Sequence, residues 1–399
     1  MTTAAPRAKA NLANGVLPAC AVQCISDLIS VSPRMLATET YMCTDQQLSH
    51  SLELCVIGTC TIREALTTKS ITESICSRPI RDRTNTVSMT AIVGVSLALL
   101  ALLLRLLSRI KSRKPGMDDW TMINAMGFVI PLSAMAVILA NHGLGKDIWF
   151  VQFENITHIL YIFYFSEVLY LGSSMMIRVS MLCLYLRIFP HGILRRITHV
   201  VTVVNLLYGT SFMTASIFQC IPVHAAWTRW DGTVPAKCIN ANAVGWTSAT
   251  INIILDAVTV ILPLPELTRL VMSWEQKIHI LAMFSLGFLV TILSILRLTS
   301  LVKFANTHNM TWDYVPVGYW SSIEVHVGVI CACLPTLPSL FRRKAPAAGP
   351  DDLTLPPHPI CHKPKNSHSD VVPLLKLVIV DGHKGAIKIR SPDISSCEG

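Results

Sequence analysis

The sequence predicts an all-α membrane protein, a seven-transmembrane helix bundle with a small disulfide-rich helical N-terminal ectodomain. Three observations carry that expectation. Seven windows of about twenty or more largely apolar residues follow one another after residue 86, each long enough to cross a ~30 Å hydrocarbon core. Basic residues crowd alternate connections between the windows. Six cysteines, at 20, 24, 43, 55, 60 and 76, stand together before the first window.

Composition supports the first observation. The 399 residues are 52% hydrophobic and only 14% charged, with a mean hydropathy of +0.51. Soluble domains have about a quarter of their residues charged. The net charge of +9 raises nucleic acid as a partner. No Lys/Arg run with interleaved aromatics accompanies it, so nucleic acid is excluded and membrane lipid is the expected surrounding.

The windows fall at 87–107, 120–140, 158–186, 197–217, 245–265, 279–301 and 319–340. The third is the longest and is expected to tilt or to project from the bilayer. Pro131 and Pro263 with Pro265 are expected to kink or end their helices. The domains are then a tail over 1–16, the cysteine-rich module over 17–83, the bundle over 87–343 and a proline-rich flexible cytoplasmic tail over 344–399. Within that tail VVPLLKLVIV, residues 371–380, is an apolar island without a physical account.

Loop charges set the orientation. One set of connections holds Arg105, Arg109, Lys111, Arg113, Lys114, Arg187, Arg195, Arg196, Arg269, Lys277, Arg342, Arg343 and Lys344. The other holds Lys146, Arg229, Lys237 and Lys303. The positive-inside rule places the richer set in the cytoplasm, so the amino end is extracellular and the carboxyl end cytoplasmic. The sequons at Asn155 and Asn309 fall in loops that this count calls external, and make the chain a candidate glycoprotein. Asn155 lies close to the third helix. Cys220 and Cys238 join the six other cysteines on that face, which suits disulfides. Residues 1–19 hold Arg7 and Lys9 but no apolar core, so they are not a signal peptide. Either the first helix carries the preceding tail across, or the true start is missing; the second explanation is favoured.

Six cysteines allow fifteen pairings, which arithmetic alone does not resolve. Cys20 and Cys24 share a helix face at i, i+4. Cys55 and Cys60 are five apart, about a turn and a half. Two short antiparallel helices would join Cys20 to Cys60 and Cys24 to Cys55, leaving Cys43 with Cys76. Three bridges compensate for the small core of a module of this size.

LPACAVQC (17–24), YMCTD (41–45), LELCVIGTC (52–60), TIREALTTK (61–69) and Cys76 followed by RPIRDR resemble the CFEM domain of fungal extracellular membrane proteins. That family has eight cysteines, and its pairing of the six present here is the same as the geometric one. Its third and fourth cysteines correspond to Arg34 and Tyr41, so one whole bridge is missing. Haem-binding members use an Asp where this chain has Thr38, and Asp45 sits past the fifth cysteine. The resemblance therefore implies no haem and no other cofactor or metal.

Further along, KPGMDDW (114–120), NHGLGKD (141–147), RVSMLCLYLRIF (178–189), FQCIPVHAAW (218–227) and NIILDAVTVILPLPEL (252–267) resemble the seven-helix, rhodopsin-like integral membrane proteins of filamentous fungi. With the amino-terminal module, the likeness covers 17–343. It implies a multi-pass plasma-membrane protein of receptor-like, signalling type. It also implies relatives in mycotoxin gene clusters of the satratoxin type.

Ionisable side chains within a bilayer cost at least ~2.5 kcal/mol each and usually face the bundle interior in pairs. Those present are Glu167, Arg178, Asp256, Arg297, Glu324 and His326. An Arg178–Asp256 pair is expected as an internal lock, and Glu167, Arg297 and Glu324 as an outer polar pocket for an extracellular ligand. The plainer account is that these pairs only hold helices together, and a proton or substrate path is a third. Asp118 and Asp119 open the second helix, where acidic groups suit the helix dipole and capping is the simpler role. Arg187, with Arg195 and Arg196, would suit a heterotrimeric G protein or lipid headgroups. Cys183, Cys331 and Cys333 are expected to pack as small apolar groups. No GxSxG, HExxH, paired CxxC or phosphate loop occurs, so no catalytic role is expected.

The function expected is a receptor-like sensor of extracellular or surface cues. The alternatives are a haem or iron capture and transport accessory, and a membrane component of a secondary-metabolite cluster.

Overall fold

The computed structural model describes residues 17–31, 43–112, 116–189, 192–267, 274–304, 307 and 309–336. Arg34, Thr38, Tyr41, Arg113, Lys114, Arg269, the basic group at 342–344 and the island at 371–380 lie outside these residues.

The cysteine-rich module contains α1 (Ala19–Val31), α2 (Gln46–Thr59) and α3 (Ile62–Ile75). Asp45 caps α2 by accepting from the Gln47 and Leu48 amides at 2.9 and 3.2 Å. Thr61 and Glu64 form a capping box on α3, which satisfies two otherwise unpaired backbone donors. The core is small: Ala21, Cys24, Leu52 and Val56 are buried in it. Disulfides Cys20–Cys60 and Cys24–Cys55 staple α1 to α2, and Cys43–Cys76 ties the start of α2 to the end of α3.

Seven helices long and apolar enough to cross a membrane follow. They run over Thr84–Ser112, Met117–Asn141, Phe153–Ile188, Ile193–Ile217, Ala241–Ile261, Trp274–Phe304 and Met310–Cys333, and are called the first to seventh spans. Between the fourth and fifth spans, β1 (Cys220–Ile221) and β2 (Lys237–Cys238) pair antiparallel, and Cys220–Cys238 closes that loop. The third span is the central one. At 36 residues it is about 54 Å long at 1.5 Å per residue, well beyond a hydrocarbon core. Small residues at Gly172, Ser173, Ser174 and Ser180 let neighbouring helices approach it closely. Ser173 and Ser180 are completely buried. The first and sixth spans instead expose Leu100, Leu103, Leu107, Phe288 and Ile295, as lipid-facing helices do.

The seventh span begins nine residues earlier than the hydropathy window. Its first turns, MTWDYVPV, carry Asp313 and Pro316, which lower hydropathy without preventing a helix. The shift matters, because it moves Glu324 from the outer half of the span to its middle.

The module packs against one end of the bundle. The connection NHGLGKD forms the seat. Gly145 donates to the Thr311 carbonyl at 3.0 Å and accepts from the Arg83 amide at 2.9 Å. It has φ +106°, and a Cβ there would lie 2.7 Å from the Thr84 nitrogen, so only glycine fits. Beneath the seat, Val87, Leu139, Leu144, Ile148, Ile156, Ile159 and Val315 form a shared apolar core. Arg63 of α3 reaches Asp231 in the fourth-to-fifth loop at 2.8 Å, and Arg81 pairs with Asp147. Asn309 belongs to the same seat. Its Nδ2 donates to Asp147 Oδ1 at 2.7 Å and its Oδ1 accepts from the Ile148 amide at 3.0 Å. The nitrogen proposed for a glycan is thus engaged within the fold. Asn155 is half-buried in the first turn of the third span, and the hydroxyl of its sequon partner Thr157 accepts from Trp230 Nε1 at 2.9 Å.

Candidate functional site

Side chains from five spans meet in the middle of the bundle. Arg178 Nε donates to Asp256 Oδ1 at 2.8 Å, so the third and fifth spans are joined by a buried ion pair. Its other nitrogens donate to Asn252 Oδ1 and, at 3.5 Å, to Asn205 Oδ1 of the fourth span. Ser294 of the sixth span donates to Asp256 Oδ2 at 2.9 Å. Asn252 passes the network on, since its Nδ2 donates to Glu324 Oε1 at 2.8 Å. Tyr170 donates to the same oxygen at 2.7 Å. Asn205 and Asn252 are as buried as the charges they bridge. Each of these five spans bears on the layer through a polar group, and such groups are expensive in hydrocarbon unless partnered.

Two atoms in the layer have no partner. Glu324 Oε2 and Arg297 Nε are buried and make no hydrogen bond among the described residues. The Arg297 guanidinium lies 3.9 Å over the Tyr170 ring, a cation–π contact, and among the described residues it forms no ion pair with Glu167 or Glu324. Glu167 Oε1 accepts from Ser216 at 3.4 Å. A cavity of about 150 Å³ opens beside them, lined by Glu167, Tyr170, Arg297, Tyr314 and Ser322 on the side of the bundle that carries the module. Glu324 does not line that cavity. It stands at the level of Asn252 instead, so the expected trio of Glu167, Arg297 and Glu324 is divided. His326 is separate again. Its Nε2 lies 3.0 Å from Ser133 Oγ, between the second and seventh spans, and a Cβ at Gly94 of the first span would strike the ring.

A second charged cluster lies at the opposite end. Arg105, expected in a loop, is fully buried in the first span. It donates to Asp119 Oδ1 at 2.9 Å, Asp118 Oδ2 at 2.7 Å and the Ala332 carbonyl at 2.6 Å. Arg109 and Arg187 also reach Asp118, at 2.7 and 3.0 Å. Asp119 does cap its helix by accepting from the Gly116 amide at 3.1 Å. Capping is nevertheless the lesser role for this pair. Both carboxylates are buried, and they neutralise an arginine that ties together the first, second and seventh spans. They present no surface to a partner, and Arg187 is occupied with them. The sequence signal for this was an arginine late in the first apolar window, followed by KPGMDDW. A Cβ at Gly116 would meet Asp118 Oδ1 and Arg187 Nη1 at 2.3 and 2.5 Å, which accounts for the glycine of that motif.

Among the described residues no disulfide engages Cys183, Cys331 or Cys333, and the last two are buried in the helical core. Cys20, Cys60 and Glu64 bring three metal-type atoms within 4.8 Å. Both sulfurs are bonded to each other, so this is no ligand set.

The comparisons agree with this architecture. A CFEM domain model matches residues 13–77 and a fungal rhodopsin domain model matches residues 104–343. A SAT4 family membrane protein of Emericella nidulans is 32% identical over 180 residues, 44% of each chain. The chain thus spans less than half the length of that relative. The wortmanamides biosynthesis cluster protein C of Talaromyces wortmannii is 24% identical over 62% of this chain and 68% of its own. The satratoxin biosynthesis SC1 cluster protein 4 of Stachybotrys chartarum is 22% identical over 44% of this chain and 63% of its own. No solved structure matches. Seven apolar helices around a buried polar layer, matched over most of their length, make this chain a member of the fungal rhodopsin domain family, with a CFEM domain at its amino end.

Proposed function

We propose that this protein is a receptor-like sensor in the plasma membrane, its CFEM domain extracellular and its carboxyl end cytoplasmic. It answers an extracellular or surface cue by rearranging the bundle. The observation that carries this reading is the incompletely satisfied layer around Glu324 and Arg297. A buried polar network that leaves a carboxylate oxygen and a guanidinium nitrogen unpartnered is stabilised by whatever ligand or rearrangement supplies the missing partners. A ligand in the adjoining cavity that contacts Arg297 or Glu167 favours one arrangement of the layer over others. The change reaches the far end through the third span, which carries Tyr170 and Arg178 in the layer and Arg187 in the Asp118 cluster. The far end is packed with Leu102, Met122, Met126 and Val329, which favours a relay over a passage. The reading requires no catalysis and no cofactor, and its partner on the cytoplasmic side is a heterotrimeric G protein.

Basal guanine-nucleotide exchange tests it without a ligand. Membranes bearing Arg178→Ala or Asp256→Asn are expected to stimulate GTPγS binding several-fold above those bearing the unaltered chain. Equal exchange in variant, unaltered and empty membranes would remove the receptor reading.

A second reading rests on the relatives, several of which are named for biosynthetic clusters. In it, the protein serves a secondary-metabolite cluster at the membrane. Deleting its gene would then change the metabolites secreted by the fungus, and an unchanged profile would count against it.

A further inference from the structure

Between the CFEM domain and the bundle lies a larger cavity of about 350 Å³, distinct from the one beside Arg297. Its roof is formed by α2 and α3, through Leu52, Val56, Ala65 and Leu66, and its floor by the beginnings of the third and seventh spans. The lining is chiefly apolar. That volume falls within the ~300–1,000 Å³ of small-molecule sites, which are mostly apolar with a few placed polar groups.

The polar groups narrow the chemistry. Lys69 lines the cavity but is paired with Glu53 at 2.9 Å and with Glu73 at 3.7 Å. Its charge is therefore already balanced. Trp230 also lines it, and its indole N–H donates to Thr157 at 2.9 Å. Trp149 differs. Its Nε1–H is buried and has no partner, although a buried indole N–H normally finds one. The chiefly apolar cavity is thus bordered by a side chain whose buried donor has no acceptor among the described residues.

We propose that this junction binds a small, uncharged lipophilic molecule through a single acceptor oxygen, a carbonyl or hydroxyl, that takes the Trp149 N–H. Such a ligand contacts both halves of the molecule at once. Its binding therefore couples the CFEM domain to the ends of the third and seventh spans. The inference concerns binding alone and stands whether the bundle signals or serves a biosynthetic cluster.

Benzophenone is a suitable probe, being apolar, carrying one carbonyl and inserting into nearby C–H bonds on illumination. The full chain in phospholipid nanodiscs is illuminated over a range of benzophenone concentrations, and adducts are mapped by mass spectrometry. Saturable adducts are expected on peptides covering 48–72, 148–160 and 310–314. Trp149→Phe keeps an aromatic side chain, though a smaller one, and removes the donor. It should raise the half-saturating concentration about two- to tenfold, the worth of one hydrogen bond. Ala65→Trp fills the space and should abolish those adducts. Should that variant fail to fold, the milder Trp149→Phe remains decisive. Non-saturable labelling confined to lipid-facing helix surfaces, or half-saturation unchanged in Trp149→Phe, would overturn the proposal.

Discussion

Arg105 shows how one side chain can hold three helices. Its guanidinium is fully buried and bound by two carboxylates and a carbonyl. Removing one partner of such a pair leaves a charge without compensation and costs about 3–5 kcal/mol. Arg105→Ala is accordingly expected to lower the thermal midpoint of the detergent-solubilised protein sharply. A midpoint equal to that of the unaltered chain would show the cluster to be dispensable. Arg178 permits a finer test. Arg178→Met alone strands Asp256 and should destabilise to a similar extent. Adding Asp256→Leu removes both charges, and most of the loss should be recovered, because well-packed apolar pairs replace buried ion pairs at little cost. Failure of the double variant to recover would mean that Asn252, Asn205 and Ser294 depend on these charges more than the pair depends on itself.

Among the elements, the NHGLGKD turn and α3 carry the junction. Gly145→Ala places a methyl against the Thr84 and Arg83 backbone at a left-handed φ, neither of which can yield. It should cost more than ~1 kcal/mol. Gly58→Ala, inside α2 with open space around it, should be neutral or stabilising by up to about 1 kcal/mol. Comparing the two midpoints separates a local requirement from general intolerance. The Arg63–Asp231 contact adds a pH dependence. A hydrogen bond from the Thr233 hydroxyl, opposed by burial and helped by Arg63, holds the Asp231 carboxyl below its ordinary value near 3.8. The charged form is thus favoured in the folded state. Its contribution is fully present above that ordinary value and is lost as pH falls through the lowered one. Amide exchange in α3 should therefore accelerate only in strong acid. Acceleration beginning near neutral pH would assign the docking to other groups.

For the whole molecule, the disulfides and the bundle set different limits. Cys24–Cys55 closes 31 residues of chain in a module whose core holds four buried residues among those described. Replacing both cysteines with serine should cost the module about 2–4 kcal/mol. The loss should appear as proteolysis of α1 and α2 while the spans remain intact. Simultaneous collapse of the bundle would mean that the two parts unfold as one. That outcome would make the junction cavity a structural core.

The amino-acid order by itself settled the elements that depend on local composition. Long apolar stretches have no other stable environment than lipid or a core, so seven spans were legible with their order. The cysteine spacing on α1 and α2 pointed to the two bridges between them, because helix geometry restricts which sulfurs meet, and Cys43–Cys76 was the pair that remained. The Arg178–Asp256 pair was legible for a related reason, since isolated charges in hydrocarbon require a partner. Asn205, Asn252, Tyr170 and Ser294 gave no comparable signal. Neutral polar residues are common in such helices, and only packing decided that these four bridge the charges. The same holds for Arg105, which the loop-charge count groups with the connections and the tertiary structure buries against Asp118 and Asp119. Glu324 moved to mid-span because Pro316 and Asp313 hide a helix start from any apolar average. Which helix faces meet, and the cavity that the CFEM domain encloses above them, depend on contacts between distant segments that no local pattern encodes.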